Sequence, residues 1–412
     1  MVDCFSGPGL TPFEDALEQL LVQVRPTTKT QMVSLNKALG CVLSQAIVSP
    51  MAVPSHDNSA MDGYAVRSAD VNAQAQLNVI AKVFAGHPYE GSVGEGQCVR
   101  VMTGGQIPDG CDAVVMQENV VVQEDGRVAC SGGIKAGNHV RRAGEDIEQG
   151  ATVLSVGRRL TPSDIGLLAS LGIAEVPVYE PLTVAVISTG DELQKPGVPL
   201  EPGQMYESNG YTVSAILERL GVNVVPFGIV PDELDALRNT FSQADDIADV
   251  VISSGGVSVG EADYTKQVLE ELGRIDFWKL AMKPGKPFAF GHLPSSYFIG
   301  LPGNPVSAMV TLHQLAVPLL RKIRGESPAK RTRLQAKAMA DFPKRPGRTD
   351  FQRGVFSVSD QGELVVVPTG AQGSGILTSL SLANCYVIIE QDRGTVTAGE
   401  AVTIEPFDSL LG

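Results

Sequence analysis

The stretch VVISSGGVSVGEADYTK, residues 250–266, decides the fold. Its opening run of Val, Val and Ile has the apolar continuity of a strand covered on both faces, as the strands of parallel sheets are. Gly255 and Gly256 then free the backbone for a tight approach, and Glu261 and Asp263 lead into the helical pattern DYTKQVLEEL. In a parallel α/β sheet the ends of such strands are where ligands bind.

The same rhythm extends to either side. LTVAVIST (182–189), TVSAILERL (212–220), VNVVPFGIV (222–230), DELDALRNTFSQA (232–244) and ADVVISS (248–254) alternate strand and helix. This βαβ succession predicts a central parallel sheet with helices on both faces. PFAFGHL (287–293) and SYFIGL (296–301) read as a hairpin. The helix NPVSAMVTLHQLAVPLLRKIRG (304–325) follows, with Asn304 as cap, Pro305 in its first position, a cationic last turn and Gly325 as terminator. Its His313 falls on an apolar stripe and reads as a packed core residue.

Upstream, TPFEDALEQLLVQV (11–24) predicts a first helix capped by Thr11, with Glu14 completing a capping box. Phe13, Leu17, Leu20, Leu21 and Val24 form its apolar stripe. Short Val-rich runs such as LNVIAKVF (77–84) and DAVVMQENVVV (112–122) between Gly and Pro predict strands, hence a β-rich inserted domain. Beyond Ser327 a basic stretch precedes Val/Ile runs with Gly turns, read as a small C-terminal β domain. The segments are therefore 1–48, a helix and linker packing with 147–180; 49–146, the β-rich insert; 147–180, a return linker; 181–327, the α/β domain; and 328–412.

Composition narrows the function. The 412-residue chain has a formal net charge of −14, which disfavours sequence-independent binding to a nucleic-acid backbone. Six cysteines form no C-x-x-C pair and there are only five histidines, so no zinc or iron–sulfur spacing is evident. A reduced, cytoplasmic setting fits. The N-terminus lacks a basic region followed by an apolar run, and no stretch is long enough for a membrane span.

Two strand ends combine glycine with acid: ISTGDEL (187–193) and SSGGVSVGEADY (253–264). Glycines let backbone N–H groups cradle a phosphate. The carboxylates beside them, Asp191, Glu192, Glu261 and Asp263, tolerate a phosphate only with a hard cation such as Mg2+ between. A rival pattern overlaps: Gly256 to Gly260 satisfies G-x-S-x-G, which would make Ser258 a hydrolase nucleophile if an Asp and a His followed. Only His292 and His313 remain downstream. WKLAMKPGKPFAF clusters Lys279, Lys283 and Lys286, either an anion clamp or a solvated face, and Gly303, Asn304 and Pro305 offer free N–H groups at a helix start.

These residues, with PSHDNSAMDGYAVR (54–67), VRVMTGGQIPDGCDAVVMQE (99–118), HVRRAGEDIEQG (139–150), GLPGNPVSA (300–308) and GSGILTSLSLANCYVI (373–388), resemble the MoeA family of molybdopterin molybdenumtransferases from about residue 10 to the end. Gephyrin carries a related domain. The resemblance implies a molybdopterin-binding, MogA-like α/β domain, a β-barrel-like C-terminal domain and a homodimer. It also implies the last step of molybdenum cofactor synthesis: Mg2+-dependent cleavage of adenylylated molybdopterin, with molybdate insertion and AMP release.

Under it, Asp62, Thr103, Asp146, Glu192 and Asp263 are catalytic, and Glu192 and Asp263 face the metal. Gly255, Gly256, Ser258, Lys279, Lys283, Gly303, Asn304, Pro305, Arg353 and Ser374 bind substrate. The implied partners are molybdate, the preceding adenylyltransferase and proteins that accept the finished cofactor. A gephyrin-like binding scaffold without turnover is the alternative. Gly105 departs from the family's usual Ala in MTGGQIP, and His56 has no assigned role.

Overall fold

The computed structural model describes residues 9–72, 75–255 and 264–412. The chain divides into two compact units: one of Met1–Gln31, Gly40–Val42 and Val178–Gly412, the other of Met32–Leu39 and Leu43–Pro177. The segments 181–327 and 328–412 thus share a unit, and 49–146 shares the other with most of 147–180.

The α/β part of the first unit is a six-stranded sheet ordered Asn223–Val230, Thr183–Thr189, Val250–Ser254, Tyr297–Leu301, Pro287–His292, Arg274–Lys279. The first four strands are parallel. Pro287–His292 runs antiparallel to them and forms the expected hairpin with Tyr297–Leu301, and Arg274–Lys279 pairs antiparallel with Pro287–His292. The strand Arg274–Lys279 is an addition to the expected set; its alternation of charged and apolar residues suits an edge with one wet face.

Strand alternation explains the two-sided burial. Val184, Val186, Val250 and Ile252 face one core with the helices Asn209–Leu220 and 305–323. Ala185, Ile187 and Val251 face the other, with Leu237 and Phe241 of Leu234–Ile247 and Val268 of Tyr264–Leu272. Each fully buried Val, Leu or Ile side chain is worth about 1.5–3 kcal/mol over leaving it exposed. Such packing on both faces fixes the strand ends that carry the glycine loops.

Two helical details correct the sequence reading. The first helix spans Phe13–Gln23 without a side-chain cap. Thr11 instead pairs along the strand end at Leu280, its N–H donating to the Lys279 carbonyl and its carbonyl accepting from Ala281, while Glu14 pairs with Arg333 at 3.1 Å. Phe13, Ala16, Leu20 and Val24 join the α/β core, and the linker part of 1–48 meets 147–180: Ile47–Val48 pairs with Thr152–Leu154, and the Leu35 N–H donates to the Ala174 carbonyl at 2.8 Å. The helix 305–323 is interrupted by a π-turn, Leu312–Ala316. Pro318 has no N–H for the Gln314 carbonyl, and Arg331 Nη2 supplies donors to the His313 and Gln314 carbonyls at 2.9 Å each.

In the C-terminal part the strands Thr349–Val358, Leu364–Pro368, Leu334–Ala338, Ala401–Pro406 and Cys385–Ile389 pair in that order, and the last returns to the first. The result is a closed five-stranded barrel around Phe342, Val366, Val387 and Ile404, and closure leaves no free edge. Met282 and Lys283 pair with Thr349 and Asp350, which ties the lysine loop to the barrel.

The second unit holds another six-stranded sheet, ordered Ala113–Met116, Gly63–Val66, Gln97–Val101, Gln76–Val83, Val128–Cys130, Val120–Val122. The run DAVVMQENVVV is split by a short 3-10 turn, Gln117–Asn119, into two of these strands. Tyr64 and Val66 face one core and Ala65 the other. No helix among the described residues is long and apolar enough to cross a membrane.

Candidate functional site

A cavity of about 630 Å3 opens at the carboxyl ends of the parallel strands. Thr189 and Gly190 end one strand, Ser254 and Gly255 the next, and Pro302 to Pro305 lead from the third into a helix. The glycines are there for geometry. Gly255 has φ +94°, and a Cβ on it would sit 2.6 Å from the Thr189 carbonyl oxygen; on Gly190, φ +147°, it would meet the Glu192 carboxylate at 2.7 Å. Only glycine permits the loop at Gly255 to come this close to backbone, and at Gly190 the positive φ favours glycine.

Residues 207–209 clamp the loops from below. Asn209 Nδ2 donates to Ser254 Oγ and to the Gly303 carbonyl, both at 2.7 Å. Glu207, 7% exposed, accepts from Ser188 Oγ at 3.2 Å and from the Gly210 N–H at 2.6 Å. Three separated strand ends are thereby held by two neighbouring side chains. The Thr189 hydroxyl, on a residue of the cavity wall, is buried with no hydrogen-bond partner among the described residues.

The electrostatics are one-sided. Glu192, Glu207 and Asp232 line the cavity, and no described lining residue is Lys or Arg. Asp191 Oδ1 accepts from the Asp232 N–H at 3.0 Å. Burial, and then the charges of Asp191 and Glu192, push the Asp232 carboxyl above its ordinary range. Neither Asp232, Glu207 nor Asn209 stands out in the sequence; the partners of Asp232 and Asn209 lie 41 to 94 residues away in the chain, and Ser188 lies 19 from Glu207.

The expected residues distribute as follows. Glu192, Gly255, Gly303, Asn304 and Pro305 line this cavity. The Val306 N–H donates to the Ser374 carbonyl at 3.0 Å, so the barrel loop reaches the helix start, and the Asn304 side chain makes no cap. Gly256, Ser258, Glu261 and Asp263 lie outside the described residues.

Three basic residues stand elsewhere. Lys279 is exposed and does not line the cavity. Lys283 turns to Asp350, Nζ to Oδ2 3.1 Å, because its backbone pairs with that barrel strand. Arg353 is fully buried; its guanidinium donates to Ser379 Oγ and to the Phe351 and Gly373 carbonyls, which anchors it beside the barrel wall. The histidines a Ser258 nucleophile would need are also committed: His313 is buried against Asp408 at 3.2 Å, and His292 packs on Tyr297.

In the second unit, Gly63 allows a close approach, since a Cβ there would lie 2.1 Å from the Val115 carbonyl oxygen. Just before the strand Gly63–Val66, Asp62 Oδ1 accepts from the Thr103 N–H and Oγ1, both at 2.8 Å. Those two donors hold the Asp62 carboxyl below its usual range. Asp146 is exposed and its N–H donates to the Val53 carbonyl at 3.0 Å. Asp57 takes Arg142 Nη1 at 2.6 Å and the Ala143 N–H at 2.8 Å, while His56 meets Ser55 Oγ.

Three family models cover nearly the whole chain: the MoeA N-terminal region (domains I and II) at 11–172, a probable molybdopterin-binding domain at 185–322, and the MoeA C-terminal region (domain IV) at 335–407. A molybdopterin molybdenumtransferase of Haemophilus influenzae is 48% identical over 97% of this chain and 99% of its own. The chain belongs to the MoeA family.

Another relative, the molybdopterin molybdenumtransferase of a Nostoc species, is 34% identical over 96% of this chain and 93% of its own. Among solved structures, a molybdopterin biosynthesis MoeA protein of Pyrococcus horikoshii matches with TM-score 0.82 at 29% identity, covering 97% of this chain and all of that one. The strand-end cavity lies within the segment matched by the molybdopterin-binding model and the loop after the barrel strand Leu364–Pro368, so MoeA membership bears on the same residues that the geometry brings together.

Proposed function

We propose that this MoeA-family chain is a molybdopterin molybdenumtransferase that takes adenylylated molybdopterin and molybdate, cleaves the phosphoanhydride with release of AMP, and leaves molybdenum on the dithiolene. The observation that carries the reading is the cavity in which glycine backbones and a helix start meet a cluster of carboxylates. Backbone N–H groups at Gly303 and Asn304, where the loop turns into the helix, suit phosphate oxygens.

The donor set also fits a hard cation, since it is all oxygen, and the Asp232 carboxyl is raised by burial and then by the neighbouring charges of Asp191 and Glu192. Among the described residues no group of three ligands is already gathered for a metal; we assign Glu192 and Asp263 to hold Mg2+, with Asp232 lining the same cavity as Glu192. When bound there it neutralises phosphoanhydride charge. Asn209 and Glu207 keep the phosphate loops in register, so the donors need not reorganise during cleavage.

We assign the working form to a two-fold homodimer in which Asp62, Thr103 and Asp146 of one copy serve the cavity of the other. The test is direct: the purified chain, given adenylylated molybdopterin and Mg2+, should release AMP on addition of molybdate. Binding of the substrate with no AMP release would identify a scaffold in place of an enzyme.

A further inference from the structure

The cations missing from the strand-end cavity gather in a second one. This concavity of about 500 Å3 lies on the barrel side of the lysine loop, and four of its eight lining residues are Lys283, Lys344, Arg345 and Arg348, against a single carboxylate, Asp350. In a chain with formal net charge −14, so dense a local excess of positive charge is not an average surface.

The walls are built before any ligand arrives. Phe342 exchanges backbone hydrogen bonds with Val396 at 2.8 and 3.1 Å, the Lys344 N–H donates to Thr395 Oγ1 at 3.1 Å, and the Gly347 N–H donates to the Gln391 carbonyl at 2.8 Å. Gly347 has φ +111°, a conformation suited to glycine, and it follows Pro346 in the turn that presents Arg345 and Arg348. Lys344 is 8% exposed, and its ammonium donates to the Gln391 and Arg393 carbonyls, leaving a third proton. Lys283 is anchored by Asp350, 1% exposed, which also accepts from Gln352 Nε2 at 3.2 Å. One wall of the cavity therefore consists of positioned ammonium groups and another of guanidinium forks.

We propose that this cavity binds a phosphate group of two or more negative charges, carried either by inorganic phosphate or by a phosphate monoester. The forked donors of arginine match phosphate oxygens in pairs, and cations converging on one concavity favour a compact anion over an extended acidic chain. The inference does not rest on the proposed molybdenum transfer, because it concerns equilibrium binding at residues outside the strand-end cavity.

The test is calorimetric titration of the whole chain at low ionic strength with inorganic phosphate and, separately, with AMP. Arg345→Gln/Arg348→Gln should weaken binding by roughly tenfold or more, the loss of charge-assisted hydrogen bonds, while Glu192→Gln leaves it unchanged. Tighter binding of AMP with the same arginine dependence identifies a monoester as the ligand, and equal binding identifies the bare phosphate. Arg345→Gln alone, at an exposed position, repeats the test if the pair fails to fold. Absence of saturable binding of either anion, affinity indifferent to the arginines, or affinity lost only with Glu192→Gln would overturn the proposal.

Discussion

Gly255 shows how much one residue decides. Its φ of +94° and its 2.6 Å hypothetical Cβ contact with the Thr189 carbonyl leave no room for a side chain. Gly255→Ala should therefore lower stability by about 1–3 kcal/mol and depress AMP release further than that loss explains, since the phosphate loop must open. Urea denaturation beside an activity assay checks both; wild-type values in each would show that the loop can shift at no cost. At this scale the sequence was informative about residue types and less so about partners. Glycine next to acid at a strand end was readable, as was the pairing of a GDEL loop with a second one. Asp232 and Asn209 were not, because each acts through a contact with a distant loop, and the burial of Arg353 depends on barrel register that no local pattern encodes.

Elements were legible where periodicity was strong. The strands 183–189 and 250–254 and the helices packed on them follow directly from their apolar patterns. Ends and interruptions were harder. Thr11 looked like a cap and is spent on strand pairing, and the helix 305–323 gives way to a π-turn where Pro318 removes a donor. The same helix is pinned to the chain end: Asp408 takes His313 at 3.2 Å and Arg321 Nη2 at 3.1 Å. Burial alone would raise the Asp408 carboxyl, but hydrogen bonding and charge from His313, the Leu410 N–H and Arg321 outweigh it and hold the group well below the usual carboxylate range. A depressed folded value stabilises above the unfolded value, about pH 4, and that stabilisation fades as pH falls further. Asp408→Asn should thus lower the melting temperature at neutral pH, and the gap to wild type should close in acid. A gap independent of pH would mean that the contact acts by packing, not charge.

For the whole molecule, composition and the βαβ rhythm were enough to anticipate an α/β core, a β-rich insert and a terminal β domain, whereas barrel closure rests on pairings between strands far apart in sequence. The acids also fall into two groups, Asp62 and Asp146 in one unit and Glu192 and Asp232 in the other. Under the homodimer reading, Asp62→Asn and Glu192→Gln chains, each inactive, should form mixed dimers with one intact and one doubly defective site, and co-refolding should restore part of the activity. With subunit exchange verified by differently tagged chains, activity fixed at the single-mutant level would place all the acids in the service of one copy.

The most direct measurement is a single-turnover reaction of the purified chain with adenylylated molybdopterin, Mg2+ and molybdate, quantifying released AMP and molybdenum retained on the pterin. The account predicts one AMP per molybdenum inserted, dependence on molybdate, and loss of both products in Glu192→Gln and Asp232→Asn chains that still fold. AMP release that ignores molybdate, or full turnover in both variants, would contradict it.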